Sequence, residues 1–296
     1  MKSVDIDTYA KLNLSLDITG RRFDGYHLMS SVMQNVDIFD TVRLEITENN
    51  DIVCKSDSEK APSDNTNLAF KAVSAFRDYT GIKQGVNIYI NKRIPVQAGL
   101  GGGSADAAAA LYGMNLLNES PLDFETLKKI GVSIGADVPF AMTGGTCLAE
   151  GIGEKLTDLP DFYSDFLIVK PEKGLSTKEV FKMADLVDLK ERPDNDKVIH
   201  ALRRGDIREI LVNLGNALYT SAGKLLPEIE NIISDLRSRF KAQAAVMSGS
   251  GSAVFGIFDD EKAYDSAHAY FKNLYAEVYR AKSVSYSMRL RGDLRV

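Results

Sequence analysis

Four glycines fall within five residues, Gly99, Gly101, Gly102 and Gly103, and an alanine-rich stretch follows at once. The full run reads Ile94-Pro95-Val96-Gln97-Ala98-Gly99-Leu100-Gly101-Gly102-Gly103-Ser104-Ala105-Asp106. Before it, Val86, Ile88 and Ile90 alternate with Asn87 and Tyr89, the period of a half-buried strand. After it, residues 105–117 have helical propensity, with so much alanine that a neighbour must pack closely against them. Strand, glycine loop and helix in that order let a backbone approach a ligand, and helix-start N–H groups suit a phosphate anion. Ser104 reads as the helix N-cap. Asp106 favours the first turn but would repel a phosphate placed too close. The run is not a Walker A loop, because no lysine followed by Ser or Thr closes it, nor a dinucleotide fingerprint in a clear βαβ unit. A helix entry whose glycines merely permit packing is the alternative reading.

A second glycine turn, Ser248-Gly249-Ser250-Gly251-Ser252, lies between two strand-like segments. It reads either as a flexible hairpin or as a backbone nest with hydroxyl donors. Two such loops in different halves point to a cleft between domains. Elsewhere the first half is strand-rich, with Leu12, Leu14 and Leu16 alternating with Asn13, Ser15 and Asp17. Further strands are expected at 27–36, 41–47, 52–55 and 146–150, with a surface loop at 57–67 and helices at 68–79, 124–130 and just after Asp137. Residues 151–165 read as a junction, so domains are expected at 1–155 and 156–296. In the second half, strands at 166–169 and 254–258 and helices at 177–184, 197–203, 207–214, 227–240 and 261–274 make an α+β unit. Arg289, Arg291 and Arg295 read as a solvated tail.

A formal net charge of -5 argues against a nonspecific nucleic-acid binder, which needs a basic footprint. No run of about 18 apolar residues calls for a membrane span, and residues 1–11 carry acids where a secretion leader needs an apolar stretch. Two cysteines, Cys54 and Cys147, and three histidines without close clustering do not make a zinc site or a secreted disulfide framework. A cytoplasmic protein is expected.

Several polar residues have two readings each. Lys11 and Asn13 are two apart at the start of a strand and share a face, yet a lone lysine there is ordinarily solvated. Asp137, in Gly135-Ala136-Asp137-Val138-Pro139, reads as an N-cap before an early-turn proline, or as a base confined among small and apolar residues. Tyr26 and His27 follow Asp24-Gly25 and are either turn residues or a stacking and polar contact for a planar group.

Three segments in order resemble the GHMP kinase superfamily: Ala10-Lys11-Leu12-Asn13-Leu14 with Asp24-Gly25-Tyr26-His27, the run from Pro95 to Asp106, and Ser248 to Ser252. The first pairing, with Gly135-Ala136-Asp137-Val138-Pro139-Phe140, resembles the branch that phosphorylates a cytidine-diphosphate-linked methylerythritol. The resemblance implies an α+β GHMP kinase fold, with an N-terminal domain like one in ribosomal protein S5 and a ferredoxin-like C-terminal domain. It implies transfer of phosphate from ATP to the substrate's 2-hydroxyl in the non-mevalonate route to isoprenoid precursors. Another GHMP kinase, acting on mevalonate, homoserine or a sugar, is the alternative. In this reading Asp137 takes the hydroxyl proton and Lys11 orients the hydroxyl and stabilises developing charge. Pro95, Gly99, Leu100, Gly101, Gly102, Gly103 and Ser104 bind ATP, with Asn65 and Lys92 on the adenine side. Asn13, Tyr26, His27, Asp137, Thr177 and Phe181 meet the substrate, Phe181 as a wall of the cytosine stack or as the apolar face of a helix. Mg²⁺ is expected with ATP, with no protein ligand assigned, because Gly102 and Gly103 stand where many relatives carry serines. A monomer or weak homodimer, with no nucleic-acid or membrane partner, completes the expectation.

Overall fold

The computed structural model describes residues 2–189 and 192–292. Two long strands, β1 (Ser3–Arg21) and β2 (His27–Thr47), form an antiparallel ribbon around which the first half is built. The separate strands expected at 27–36 and 41–47 are one strand, because β2 borders four others along its length. β3 (Ile52–Ser56), β4 (Gly85–Asn91), β5 (Thr146–Gly151) and β6 (Lys155–Asp158) extend this sheet.

Helices α1 (Leu68–Thr80), α2 (Gly102–Leu117) and α3 (Phe124–Ile134) belong to the same half as this sheet. α1 is bounded as its sequence requires: the Asn67 side chain accepts from Ala69 N, and Gly81 closes it at φ 76°. α2 starts earlier than expected. Gly101, at φ 72°, is its N-cap, so Ser104 sits inside the first turn and does not cap. Leu12, Leu14, Leu44 and Ile88 from the sheet and Ala72, Phe76, Ala108 and Leu111 from the helices are fully buried in one core. The alanines let α2 lie close to the sheet, and burial of each larger apolar side chain contributes roughly 1.5–3 kcal/mol.

The short α4 (Val138–Thr143) follows α3 directly. The second half is a four-stranded antiparallel sheet in the order β11 (Glu277–Val284), β7 (Asp165–Lys170), β10 (Val254–Ile257), β9 (Ala244–Met247). α5 (Thr177–Ala184), α6 (Asn195–Arg204), α7 (Ile207–Asn213), α8 (Tyr219–Leu225), α9 (Glu228–Ser234) and α10 (Glu261–Lys272) complete it. α9 runs on into a π-helical turn at Asp235–Arg239. A second core gathers Leu167, Val169, Val180, Ile232 and Phe271.

Three features of the fold cross the expected division at 155/156. Lys155 already belongs to β6, which pairs with β5. The two-residue β8 (Gly215–Asn216) pairs with β1 at Ser15 and Leu16. The chain then returns to the first half: the end of β11 pairs with β2, and β12 (Met288–Leu290) pairs with β1. Arg289 and Arg291 are therefore no free tail. Arg291 Nε is 2.8 Å from Asp7 and Arg289 lies over the Tyr286 ring, while Arg295 lies outside the described residues.

Candidate active site

Register shifts in the β1–β2 ribbon, between Tyr9 and Lys11 and again between Asn13 and Ser15, bracket the polar side chains of Lys11 and Asn13. Such bulges re-aim side chains and recur beside active sites. Lys11 and Asn13 share a face, as their spacing requires, and the Lys11 ammonium donates to Asn13 Oδ1. Asn13 is fixed on its other sides. Its Nδ2 donates to Ser31 Oγ at 2.7 Å and its backbone N–H to Ser248 Oγ at 3.1 Å. Both residues are buried, Lys11 to 6% and Asn13 to 1% exposure. A buried ammonium needs a partner, and Asp137 supplies one, its carboxylate 3.5 Å from Lys11 Nζ.

Asp137 occupies the N-cap of α4, with Pro139 in the first turn, as one sequence reading had it. Yet its side chain makes no capping hydrogen bond and its backbone is helical. The carboxylate is thus left for Lys11 and remains 29% exposed while Lys11 is sealed. An acid reachable from solvent beside a buried cation can take a proton from an incoming hydroxyl while the cation balances the charge that develops.

The glycine loop lies directly on this pair. Lys11 N–H donates to Leu100 O at 3.0 Å. Gly101, at φ 72°, covers the Lys11 stem so closely that a Cβ there would stand 2.9 Å from Lys11 Cγ. At Gly99, φ 75°, a Cβ would stand 2.0 Å from Ser248 O. No other residue satisfies both the backbone angle and the space at these two points. Ser248 Oγ donates to Gly99 O at 3.0 Å, and Ala253 N donates to Ala98 O at 3.1 Å. The second glycine turn is therefore no free hairpin. It is stitched to the first, and the Asn216 amide holds it from behind through Met247 O and Gly249 O at 2.7 and 2.8 Å. Thr177, at the start of α5, meets Ser250 Oγ at 2.8 Å.

The remaining expected residues lie to either side. Pro95 and Lys92 line a cleft of about 610 Å³ with Lys60, Arg93, Glu277 and Tyr279. Asn65 is exposed in the turn before α1 and is not among the cleft's lining residues. Lys92 turns its ammonium inward, 2.5 Å from Asp40 and 2.8 Å from Asp106. On the other side, His27 stacks on Phe181 with ring centroids 5.0 Å apart and planes at 30°. That face of Phe181, expected as a wall for a base, thus carries the His27 ring. His27 Nε2 meets Asp185 Oδ1 at 2.8 Å, and Arg21 Nη1 lies 3.4 Å from the same carboxylate. Tyr26 is 62% exposed. Sequence reasoning missed Ser31, Asn216, Ser248 as a bridge, and Asp185. Ser31, Asn216 and Asp185 belong to no local pattern, and the Ser248 motif does not show its partners; only the pairing of distant segments brings them to the site.

A glycine loop entering a helix, a second glycine turn stitched to it, and a lysine–aspartate pair beneath both define a small-molecule kinase of the GHMP class. Residues 67–145 match the family pattern described as GHMP kinases N terminal domain, and residues 198–277 match GHMP kinases C terminal. A 4-diphosphocytidyl-2-C-methyl-D-erythritol kinase of Caldicellulosiruptor saccharolyticus is 44% identical over 274 residues, 91% of this chain and 94% of the relative. One of Alkaliphilus metalliredigens is 40% identical over 96% of this chain and 98% of its own length. A crystal structure of 4-(cytidine 5'-diphospho)-2C-methyl-D-erythritol kinase superposes with a TM-score of 0.78 at 28% identity, covering 94% of this chain and 98% of that one. A homoserine kinase from Cytophaga hutchinsonii shares the fold, with a TM-score of 0.77 at 17% identity. The chain belongs to the 4-diphosphocytidyl-2-C-methyl-D-erythritol kinase family of the GHMP kinases.

Proposed function

We propose that this chain transfers the γ-phosphoryl group of ATP to the 2-hydroxyl of 4-diphosphocytidyl-2-C-methyl-D-erythritol, giving the 2-phosphate and ADP. The observation that carries the chemistry is the Asp137–Lys11–Asn13 group beneath the Gly99–Gly101 loop. The identity of the acceptor rests on the relatives, whose names carry that substrate. ATP phosphates lie over the loop and the α2 N-terminus, where Gly99, Leu100, Gly101, Gly102, Gly103 and Ser104 offer backbone donors. Asp137 accepts the hydroxyl proton, and Lys11 steadies the hydroxyl and balances charge in the transition state. Asn13 holds Lys11 in place. Pro95, the backbone of Lys92 and, from its exposed turn, Asn65 border the adenine side, and Thr177, at the start of α5, faces the acceptor where it meets Ser250 of the second glycine turn. Tyr26, His27 and Phe181 form the cytosine end, with the base lying against Tyr26 or displacing the His27–Phe181 contact.

Mg²⁺ arrives with ATP. Among the described residues no group of three or more His, Cys, Asp or Glu side chains forms a cage. The metal would be carried by the phosphates and water, with no protein ligand assigned. Mg²⁺ would there neutralise phosphate charge. The reading places the reaction in the cytoplasm, on a monomer or weak homodimer, since one copy supplies every residue named. No helix among the described residues is long and apolar enough to cross a membrane.

The test is coupled ADP release with Mg-ATP and the cytidylyl substrate, beside mevalonate, homoserine and galactose, with product mass confirmed. Turnover confined to the cytidylyl substrate supports the reading. Turnover with another acceptor would keep the loop chemistry and discard the cytosine end.

A further inference from the structure

Three ionisable side chains outside the reacting centre are buried together under the start of α2. Asp40, on β2, is fully buried, and Lys92 and Asp106 side chains are each 5% exposed. Asp40 Oδ1 accepts from the backbone N–H groups of Arg93 and Ile94 at 2.5 and 2.8 Å, while its Oδ2 accepts from Lys92 Nζ. Lys92 Nζ also donates to Asp106 Oδ2 at 2.8 Å. The ammonium thus joins the two ends of the glycine loop: residues 92–94, which lead into it, and Asp106, in the helix it opens. A Cβ built on Gly102 would stand 3.2 Å from Lys92 Nζ, so the ammonium sits against the first residue of α2. From β1, Thr8 Oγ1 donates to Ala105 O at 2.9 Å and fixes the same turn.

We propose that Asp40, Lys92 and Asp106 are a buried charge clamp that sets the spacing of the glycine loop's two ends, and so positions the backbone donors that receive the ATP phosphates. The proposal rests on the phosphate-loop reading above. The three are positioning residues: the Lys92 side chain is committed to two carboxylates and contributes to ATP binding through the backbone it tethers.

The charge of the clamp is the second part of its action. Two carboxylates on one ammonium leave an excess negative charge unless one acid keeps its proton. Asp106 is the one that keeps it. Burial raises its pKa, Lys92 pulls it down and the like charge of Asp40 raises it again, which together push it up to about 8. Its Oδ1 has no hydrogen-bond partner among the described residues. At Lys92 burial favours the neutral amine, but Asp106 and Asp40 together outweigh it and hold the ammonium. From β3, the Cys54 thiol is pushed up to about 11, by burial first and then by Asp106, and so stays neutral while Asp106 titrates. Ionisation of Asp106 would place an unbalanced negative charge beside the donors that meet phosphate.

The experiment pairs Lys92→Met with Asp106→Asn in the full chain. With Lys92→Met, the KM for ATP should rise at least about tenfold while kcat at saturating ATP and the KM for the acceptor stay near wild type, the split expected of a group that positions the ATP site. Amide exchange across residues 95–105 should quicken in that variant and remain unchanged in the second half. Wild-type KM for ATP should climb as pH passes about 8, and Asp106→Asn should flatten that climb. Unchanged KM and unchanged exchange in a folded Lys92→Met protein would overturn the clamp. If Lys92→Met does not fold, matching pH profiles for wild type and Asp106→Asn would overturn it. A wild-type protein with no ATP-dependent turnover would sink the proposed function instead, and amide exchange would still decide the clamp.

Discussion

Asp137 stands at the head of α4 without spending its carboxylate on the helix, and that leaves it available for the proton transfer proposed above. Had the side chain capped α4, the acid would be held by backbone N–H groups, its proton affinity lowered and its oxygens occupied. Instead it faces Lys11 at 3.5 Å, a distance that stabilises both charges and leaves an oxygen free for a substrate hydroxyl. Asp137→Asn keeps the shape and removes the proton acceptor. It should lower kcat by about 10²–10⁴-fold, the usual contribution of general acid–base catalysis, with the KM for ATP little changed. Steady-state kinetics at fixed pH checks this, and wild-type turnover in the variant would remove Asp137 from the proton-transfer role. The sequence reached these residues unevenly. The shared face of Lys11 and Asn13 follows from strand alternation alone. The freedom of the Asp137 carboxylate does not, since an aspartate two residues before a proline reads equally well as a cap. Asp185 was silent because its partners, Arg21 and His27, lie across the fold.

Elements with a strong local period were legible, and those made by partners were not. α1 carries its own cap and stop signals and was expected at nearly its true bounds. β2 is expected as two strands, at 27–36 and 41–47, and the polar residues Asp37 and Asp40 lie between them. The break vanishes once the Asp40 carboxylate is seen accepting from residues 92–94. α8, with the sequence Tyr-Thr-Ser-Ala-Gly-Lys-Leu, has weak propensity and was not anticipated; it exists because Ser221 and Ala222 are buried against neighbours. The same Asp40 contact makes the junction of β4, the loop and α2 sensitive to pH. In the fold Asp106 titrates near 8, against an ordinary aspartate value of 3.8. A raised carboxyl pKa means that the native state binds the extra proton. Its contribution to stability is complete below about pH 4, falls as pH rises toward about 8, and is level above that. Asp106→Asn mimics the protonated acid and lacks this slope. Urea unfolding of both proteins across that range should show wild type losing stability relative to the variant as pH rises, and parallel curves would contradict it.

On the scale of the whole molecule the two halves are not strung in series, because the chain leaves the second half to finish on the first. Tyr9 N–H donates to Ser287 O at 2.9 Å, Ser287 Oγ donates to Met142 O at 2.9 Å, and Tyr286 meets Tyr9 edge-on at 4.9 Å. β12 then pairs with β1 through Thr8, and Arg291 reaches Asp7. Segment 286–291 therefore ties β1, which carries Lys11, to α4, which carries Asp137. Gly144 shows how tight the contact is, since a Cβ there would stand 2.5 Å from Ser287 N. Lys11 and Asp137 come from a strand and a helix far apart in sequence, and this last segment braces their separation. A chain ending after residue 285 should lose about 1–3 kcal/mol from broken buried bonds and packing, with a fall in Tm of about 2–4 °C for each kcal/mol. More tellingly, kcat should drop by about tenfold to a hundredfold at temperatures where the shortened protein is fully folded, the scale at which small misplacement of a reacting group acts. ATP binding should persist, because the glycine loop is held by Lys11 N–H, Ser248 and the clamp at Lys92 and not by the terminal strand. Kinetics and ATP titration on the folded truncated chain separate the two effects. Equal loss of ATP affinity and turnover would mean that the terminal segment supports the first half in general, and not the Lys11–Asp137 geometry in particular.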